Sequence, residues 1–447
     1  MPALGRDSAS TPQDNARRAS GSRPSARLPF RPSRIRHPRS RSWLPPQARE
    51  SLETECTPCR EWHLIDSLLA RGDVASLALP PSGATNLKAS ASMTEQEPHQ
   101  SAVVLDLNRG QLHEIFRALI LARATEERLE VLFKQGHVTG GIYRSLGQEA
   151  GAVGAAYALR RRDDGTGDII APTVRATGAV FLMGGTPLQF FRQYLARATS
   201  PTGGRESKVY WVDFESGLVA PTSPLGTMVE VMAGVGLAFK LRGEDRVALV
   251  FYGDGASSTG AWHEGLCFAA AQACPMVLIV EANQWAFSSP TSTNTRVQSF
   301  VEKADGYGLH AESVDGTDVL AVYACVQRAV ARARAGDGTG MVELQYYRMG
   351  GHAQHDDQEY ADPEELKKWK AKDPIAVFRD RLLAEGFATS EELVSLVDGA
   401  FEEARVAADQ ALAEPAPLGP ETLEDVYTDV VARPPWTRMA VPDPRNS

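Results

Sequence analysis

Two apolar runs that each stop on a single polar residue set the strongest limit on how this chain can fold. In "VALVFYGDGASSTGAWHEGLCFAAAQACPMVLIVEANQW" the first run ends at Gly253-Asp254-Gly255 and the second at Glu281-Ala282-Asn283. Runs with no polar alternation fit strands buried on both faces, as in a parallel sheet. The segment between them, about Ala261 to Ala273, reads as a crossover helix. A crossover of that length makes the two strands parallel neighbours. Ligands of such sheets bind beyond the carboxyl ends of the strands, so Asp254 and Asn283 can converge on one point.

The surrounding sequence keeps the same rhythm. "DIIAP", "RVALVFYGDG", "PMVLIVEANQ" and "GMVELQYYRMGGH" are strand-like, and "EVMAGVGLAFKLRG" and "VLAVYACVQRAVARARAG" are helical. A first helix is expected from Asn108, its cap, to Gly136, its stop, with Leu112, Ile115, Phe116 and Leu119 on one face. Residues 362–413 read as amphipathic helices, and a Pro-rich tail follows. The expected fold class is α/β: a parallel sheet with helices on both faces. No internal repeat is visible.

The first 95 residues differ in kind. Residues 1–49 carry eleven Arg, two Asp and neither Lys nor Glu, a local charge of +9 in a chain whose net charge is −9. This Arg/Pro/Ser-rich leader lacks the apolar periodicity needed to order a backbone. It fits a start codon assigned upstream of Met93, a transit peptide, or a basic arm able to touch nucleic acid. The remainder sums to −18, an acidic body that does not look like a nucleic-acid binder. No run of 18 apolar residues is present, which argues against a membrane helix. Cys56 and Cys59 form a Cys-x-x-Cys without the second pair a structural zinc requires. Cys267, Cys274 and Cys325 lie in apolar surroundings and are expected to pack as small hydrophobes. The expected organisation is a leader over 1–95, a main domain over 96–390, and a C-terminal helix and tail over 391–447.

One carboxylate and one amide oxygen are hard ligands suited to Mg²⁺, which takes its remaining ligands from phosphate and water. Gly253 and Gly255 allow close backbone approach, and the N–H groups after Asp254 can face an anion. The implied ligand is a diphosphate bridged to protein by Mg²⁺. The simpler alternative is a tight turn with Asp254 as a helix cap.

Gly-Asp-Gly followed after 27 residues by Asn283 resembles the thiamine-diphosphate fingerprint. More narrowly, about 108–385 resembles the alpha subunit of the decarboxylating (dehydrogenase) component of 2-oxo acid dehydrogenase complexes. The matching strings are "YRSLGQEAGAVGAAYAL", "SPLGTMVEVMAGVGLAFK", "HEGLCFAA", "YGLHAESVDGTDVLAVY", "YYRMGGHAQHDD" and "DPIAVF". This resemblance implies a thiamine-diphosphate-binding fold with thiamine diphosphate and Mg²⁺ as cofactors. Asp254, Asn283 and the carbonyl of Trp285 would hold the metal. Gly253, Gly255, Ala256 and Arg175 would meet the diphosphate, with Val174 where the family has Tyr. Ser223 and Leu225 would support the aminopyrimidine ring. His352 would act at the reacting centre, with Gly350 and Gly351 where relatives often carry another His. Ala353 replaces a residue that some relatives phosphorylate. Gly147 is expected to shape the substrate mouth, beside Gln148 and Glu149, with Tyr143 as a further candidate.

The reaction so implied is oxidative decarboxylation of a 2-oxo acid, branched-chain or pyruvate, with acyl transfer to lipoyl-lysine of a partner acyltransferase. An acetoin dehydrogenase alpha subunit and a non-catalytic scaffold relative are the alternatives. The family's activating Glu comes from a beta subunit, so an assembly of two alpha and two beta chains is expected. It would be cytoplasmic in a bacterium, or in the mitochondrial matrix if the leader is a transit peptide. A nicotinamide-binding site is disfavoured, because Gly260 falls two positions late for Gly-x-Gly-x-x-Gly.

Overall fold

The computed structural model describes residues 107–423. The leader, Cys56, Cys59 and the Pro-rich tail beyond 423 lie outside the described residues. Helix α1 (Arg109–Lys134) starts at Asn108, which forms a reciprocal capping box with Gln111, and Gly136 follows its end at φ 79°. Helix α2 (Glu149–Tyr157) is buried along its whole length. Strand β1 (Ile169–Ala171) and the short helices α3 (Thr177–Leu182) and α4 (Pro187–Tyr194) follow. After a long loop come α5 (Thr227–Arg242), β2 (Ala248–Gly253), α6 (Gly260–Ala271) and β3 (Met276–Ala282). A two-residue hairpin, β4 (Trp285–Ala286) and β5 (Ser289–Pro290), leads to α7 (Thr291–Asn294) and α8 (Val301–Asp305). Then come β6 (His310–Asp315), α9 (Val319–Ala335) and β7 (Gly340–Gln345). Helices α10 (Pro363–Lys370), α11 (Pro374–Ala384) and α12 (Ser390–Ala413) close the described chain.

The main sheet has five parallel strands in the order β1-β2-β3-β7-β6. Successive residues of a strand face opposite sides, and the core shows both sides filled. Ala248, Val250 and Tyr252 of β2 pack with Met228, Met232 and Leu266 from α5 and α6. Leu249 and Phe251 pack on the other face with Leu129, Val322 and Val326 from α1 and α9. This two-sided burial is why the strands read as unbroken apolar runs.

Ion pairs, some buried and some exposed, tie the helices together. Arg123 of α1 bonds Glu149 of α2 at 2.5 Å and Asp373, the cap of α11, at 3.0 Å. Asp168 accepts from the backbone N–H groups of Arg160 and Val247 and from Arg334 of α9, which fixes the entry to β1. Helix α12 packs along α1 through Arg109–Glu392 and Arg128–Asp409. Cys274 and Cys325 are buried as expected. Cys267 is exposed, against expectation, because its position on α6 falls on the turn face beside Phe268 that leaves the core.

β6 carries no strand signal in the sequence. It is an edge strand whose residues are at most half-buried and mostly polar, so it lacks the apolar run of its neighbours.

Candidate active site

The strand register places the two key residues side by side. Gly253 pairs with Glu281 across β2 and β3, so Asp254 and Asn283 leave adjacent strands within one residue of the same level. Neighbouring strands run about 4.8 Å apart, close enough for two side chains to share one ion. Both residues are buried, at 3% and 5% exposure. Asp254 does not cap α6. Thr259 does so, accepting from the N–H of Trp262 at 3.3 Å, while the Asp254 carboxylate faces a cavity.

That cavity is about 590 Å³, and the residues expected to hold the cofactor and metal line it. Arg175, Ser223, Leu225, Gly253, Asp254, Gly255, Ala256, Asn283, Trp285 and His352 all contribute, as do Val174 and Tyr143. Gly147 does not reach it. At φ 83° Gly147 packs directly beneath the Met349 side chain, because the turn into α2 is buried rather than open to a substrate.

The carboxylate of Asp254 accepts from the N–H of Gly255 at 2.8 Å and from the Thr291 hydroxyl. Burial raises its pKa, and these bonds with Arg348 and Arg175 oppose the rise. Asn283 donates its amide N–H to Gln148 Oε1 at 2.9 Å. That bond turns the amide so that Oδ1 is left as an acceptor, met only by the Trp285 N–H at 3.3 Å. Gln284 lies between them at φ 70°, a left-handed turn that sends the chain back along the cavity. Phe287 (φ 56°) and Lys208 (φ 59°) line the same cavity in the same strained region. Such residues cost about 1–3 kcal/mol each and tend to cluster where ligands bind.

Arg175 is the strongest indicator of an anion. It is enclosed, and burial followed by Arg348 lowers its pKa. One of its terminal N–H groups donates to the His352 carbonyl, and its buried Nε–H has no partner. A buried guanidinium with an unsatisfied N–H is costly unless an anion completes it. Among the described residues no three His, Cys, Asp or Glu side chains cluster as a metal site. A cation here therefore needs oxygens from its ligand, as a Mg²⁺–diphosphate pair supplies. The donor set fits that group.

His352 sits on a pinned loop. Its N–H donates to Asp356 at 2.6 Å, and Asp356 also accepts from Tyr360 at 2.6 Å and from the Gln358 N–H at 3.0 Å. Its ring lies 4.5 Å from Phe287 and 5.3 Å from Tyr143, centroid to centroid. Burial, then Arg175 and Arg348, lowers its pKa to about 4. The imidazole is thus neutral at pH 7, not about one quarter charged as its ordinary value of 6.5 implies. The Gly351 found in place of the family's second His has a steric basis. A Cβ there would meet the Asp356 carbonyl at 2.3 Å, so the tight loop that pins His352 excludes a side chain at 351.

Several contacts were not legible beforehand. Gln148 carried a motif signal but no role. Thr291 and Lys208 carried none, since their contacts join segments far apart in sequence. Glu281 forms part of the cavity wall, held by Thr173 at 2.8 Å and Tyr346 at 3.3 Å, and burial raises its pKa.

Comparison with known proteins gives one consistent result. The chain is 31% identical to the alpha subunit of acetoin:2,6-dichlorophenolindophenol oxidoreductase from Cupriavidus necator, over 73% of this chain and 97% of that protein. It is 31% identical to the 2-oxoisovalerate dehydrogenase subunit alpha of Bacillus subtilis, over 72% and 97%. It is 37% identical to the 3-methyl-2-oxobutanoate dehydrogenase subunit alpha of Mycobacterium tuberculosis, over 63% and 73%. Residues 117–418 match the family described as "Dehydrogenase E1 component", and the chain belongs to that family.

Proposed function

We propose that this chain is the alpha subunit of a thiamine-diphosphate-dependent 2-oxo acid dehydrogenase, decarboxylating a 2-oxo acid and passing the acyl group to a lipoyl group on a partner acyltransferase. The observation that carries the reading is the set around one cavity: buried Asp254 and Asn283 at adjacent strand ends, with the unsatisfied Arg175 facing the same space. In this reading Asp254, Asn283 and the Trp285 carbonyl hold Mg²⁺. Arg175 and the backbone around Gly253, Gly255 and Ala256 hold the diphosphate. Ser223 and Leu225 support the ring end; Leu225 is 57% exposed although it lines the cavity, an apolar surface left for a ligand to cover.

When bound, thiamine diphosphate supplies the electron sink for cleaving the carbonyl–carboxylate bond. The neutral His352 accepts or donates a hydrogen bond at the reacting end without adding charge. The carboxylates lining the cavity are Asp254 and Glu281. The first is committed to the metal and the second is bonded to Thr173 and Tyr346. Neither is free to protonate the cofactor's ring, which agrees with what the resemblance implies: an acid from a beta subunit, in an assembly of two alpha and two beta chains. Residues 96–390 form the working domain, with a leader before and a helix and tail from 391. Among the described residues no helix is long and apolar enough to cross a membrane. The assembly is placed in the bacterial cytoplasm, or in the mitochondrial matrix if the leader is a transit peptide.

The test is to co-purify this chain with its beta partner. Pyruvate, 3-methyl-2-oxobutanoate and acetoin are supplied with 2,6-dichlorophenolindophenol as electron acceptor, with and without thiamine diphosphate and Mg²⁺. Cofactor-dependent turnover of a 2-oxo acid is expected. Turnover of acetoin alone assigns the acetoin activity. Cofactor binding without turnover of acetoin or of any 2-oxo acid, dicarboxylic ones included, points to a scaffold.

A further inference from the structure

The cavity holds one charged group that the cofactor reading leaves unused. Lys208 lines it, half-buried, and makes no hydrogen bond or ion pair. Its ammonium lies 5.5 Å from the centre of the Tyr143 ring and 5.4 Å from that of Tyr210. The left-handed backbone at φ 59° is unfavourable for lysine and holds its side chain at this place. Tyr143 meets the His352 ring edge-on at 5.3 Å and also takes the Arg175 guanidinium at 5.7 Å, so Lys208 stands near both His352 and Arg175. Two aromatic faces steady a cation without neutralising it. The result is a positioned positive charge waiting for an anion.

Among the groups of the cofactor and the substrate, three anions could answer it. In the reading above the diphosphate is met by Arg175 and by a metal that Asp254 would hold, and the cations acting most strongly on Asp254 are Arg348 and Arg175. The carboxylate that leaves as CO₂ is a poor choice. A cation there stabilises the charge that the reaction must disperse, favouring the ground state over the transition state. The third is an anionic group at the far end of the substrate chain. Such a group stays charged throughout the reaction, so pairing it adds specificity at no cost to the chemistry. An apolar substrate tail would instead desolvate Lys208 with nothing in return.

We propose that Lys208 is a specificity-determining residue whose ammonium, held between Tyr143 and Tyr210, receives a carboxylate at the far end of a 2-oxo dicarboxylic acid. This inference rests on the 2-oxo acid reading above.

The test uses the assembled alpha–beta enzyme with thiamine diphosphate and Mg²⁺. It compares 2-oxoglutarate with 5-methyl-2-oxohexanoate, in which an isopropyl group replaces the far carboxylate. Wild-type enzyme is expected to favour 2-oxoglutarate in kcat/KM. Lys208→Met lowers that preference about 10- to 100-fold, the value of one charge-assisted hydrogen bond, mainly through KM for 2-oxoglutarate. Lys208→Arg restores most of it. Thiamine diphosphate affinity, measured by calorimetry, does not change in Lys208→Met. A preference unaltered by Lys208→Met overturns the assignment, and so does a loss of cofactor affinity, which gives Lys208 to the diphosphate. Failure of every 2-oxo acid overturns the underlying reaction and this inference with it. Turnover with an unmoved preference overturns this inference alone.

Discussion

Replacing Glu126 by Gln should make the protein less sensitive to pH, by an amount the structure fixes. Glu126 on α1 is 1% exposed. It accepts from the Ser145 N–H at 2.7 Å, the Ser145 hydroxyl at 2.9 Å and the Thr177 hydroxyl at 2.7 Å. Burial, then repulsion from Glu149, raises its pKa from 4.5 to about 7 despite those bonds. Below 4.5 both folded and unfolded chains carry the proton. Between 4.5 and 7 the folded chain keeps a proton that the unfolded chain has lost, so stability falls as pH rises. Above 7 both are ionised and the loss levels off. At about 1.4 kcal/mol per pKa unit the interval amounts to roughly 3 kcal/mol. Gln keeps an acceptor for Ser145 and can donate to Thr177, and it never ionises. The melting temperature of Glu126→Gln relative to wild type is therefore expected to climb by several degrees between pH 5 and pH 8, at about 2–4 °C per kcal/mol. The difference between the two proteins cancels Asp254 and Glu281, which titrate in both. Parallel pH curves would refute the reasoning, since they require Glu126 to have one charge state across the range.

Three further outcomes test the site. Asp254→Ala is expected to abolish Mg²⁺-dependent thiamine diphosphate binding by calorimetry while far-ultraviolet circular dichroism stays unchanged. Gln148→Ala frees the Asn283 amide to turn and should weaken Mg²⁺ about 10- to 100-fold, the usual effect of losing a group that orients a metal ligand. His352, followed by NMR in the cofactor-free assembly, should titrate near pH 4, and bound thiamine diphosphate should raise that value. Burial depresses the pKa most and Arg175 and Arg348 add to it; an anion beside those two offsets their part.

How much of this could be read in advance depended on whether a signal was local. β2 and β3 are buried on both faces, so their unbroken apolar runs and abrupt ends were visible, and with them Asp254 and Asn283. Asn108 and Gly136 mark the ends of α1 by local capping chemistry, and both were legible. β6 was not, because an edge strand that is partly open to solvent needs no apolar run. The role of Gly147 was misplaced because the motif gives a position in the chain and not which side of a turn is buried; Met349, about two hundred residues on, decides that. Cys267 was misplaced for a related reason: apolar neighbours in sequence do not fix which face of α6 meets the core.

The same distinction explains why the charge balance of the site escaped the sequence. Arg175, Arg348 and Lys208 come from three distant segments, and only folding brings them to one region with Asp254 and Glu281. Both carboxylates have pKa values raised by burial, and Arg175 and His352 have theirs lowered. The shifts of Asp254, Arg175 and His352 are of the kind that a doubly charged anion with its cation would relax. The cation favours ionised Asp254, and the anion favours charged Arg175 and His352. A pocket in which Asp254, Arg175 and His352 are biased toward their neutral forms is therefore built for a ligand carrying both signs of charge. Binding should become tighter as pH rises through the Asp254 transition. If calorimetry finds Mg²⁺–thiamine diphosphate affinity flat as pH rises from 3.8 upward, the burial of Asp254 does not control the site.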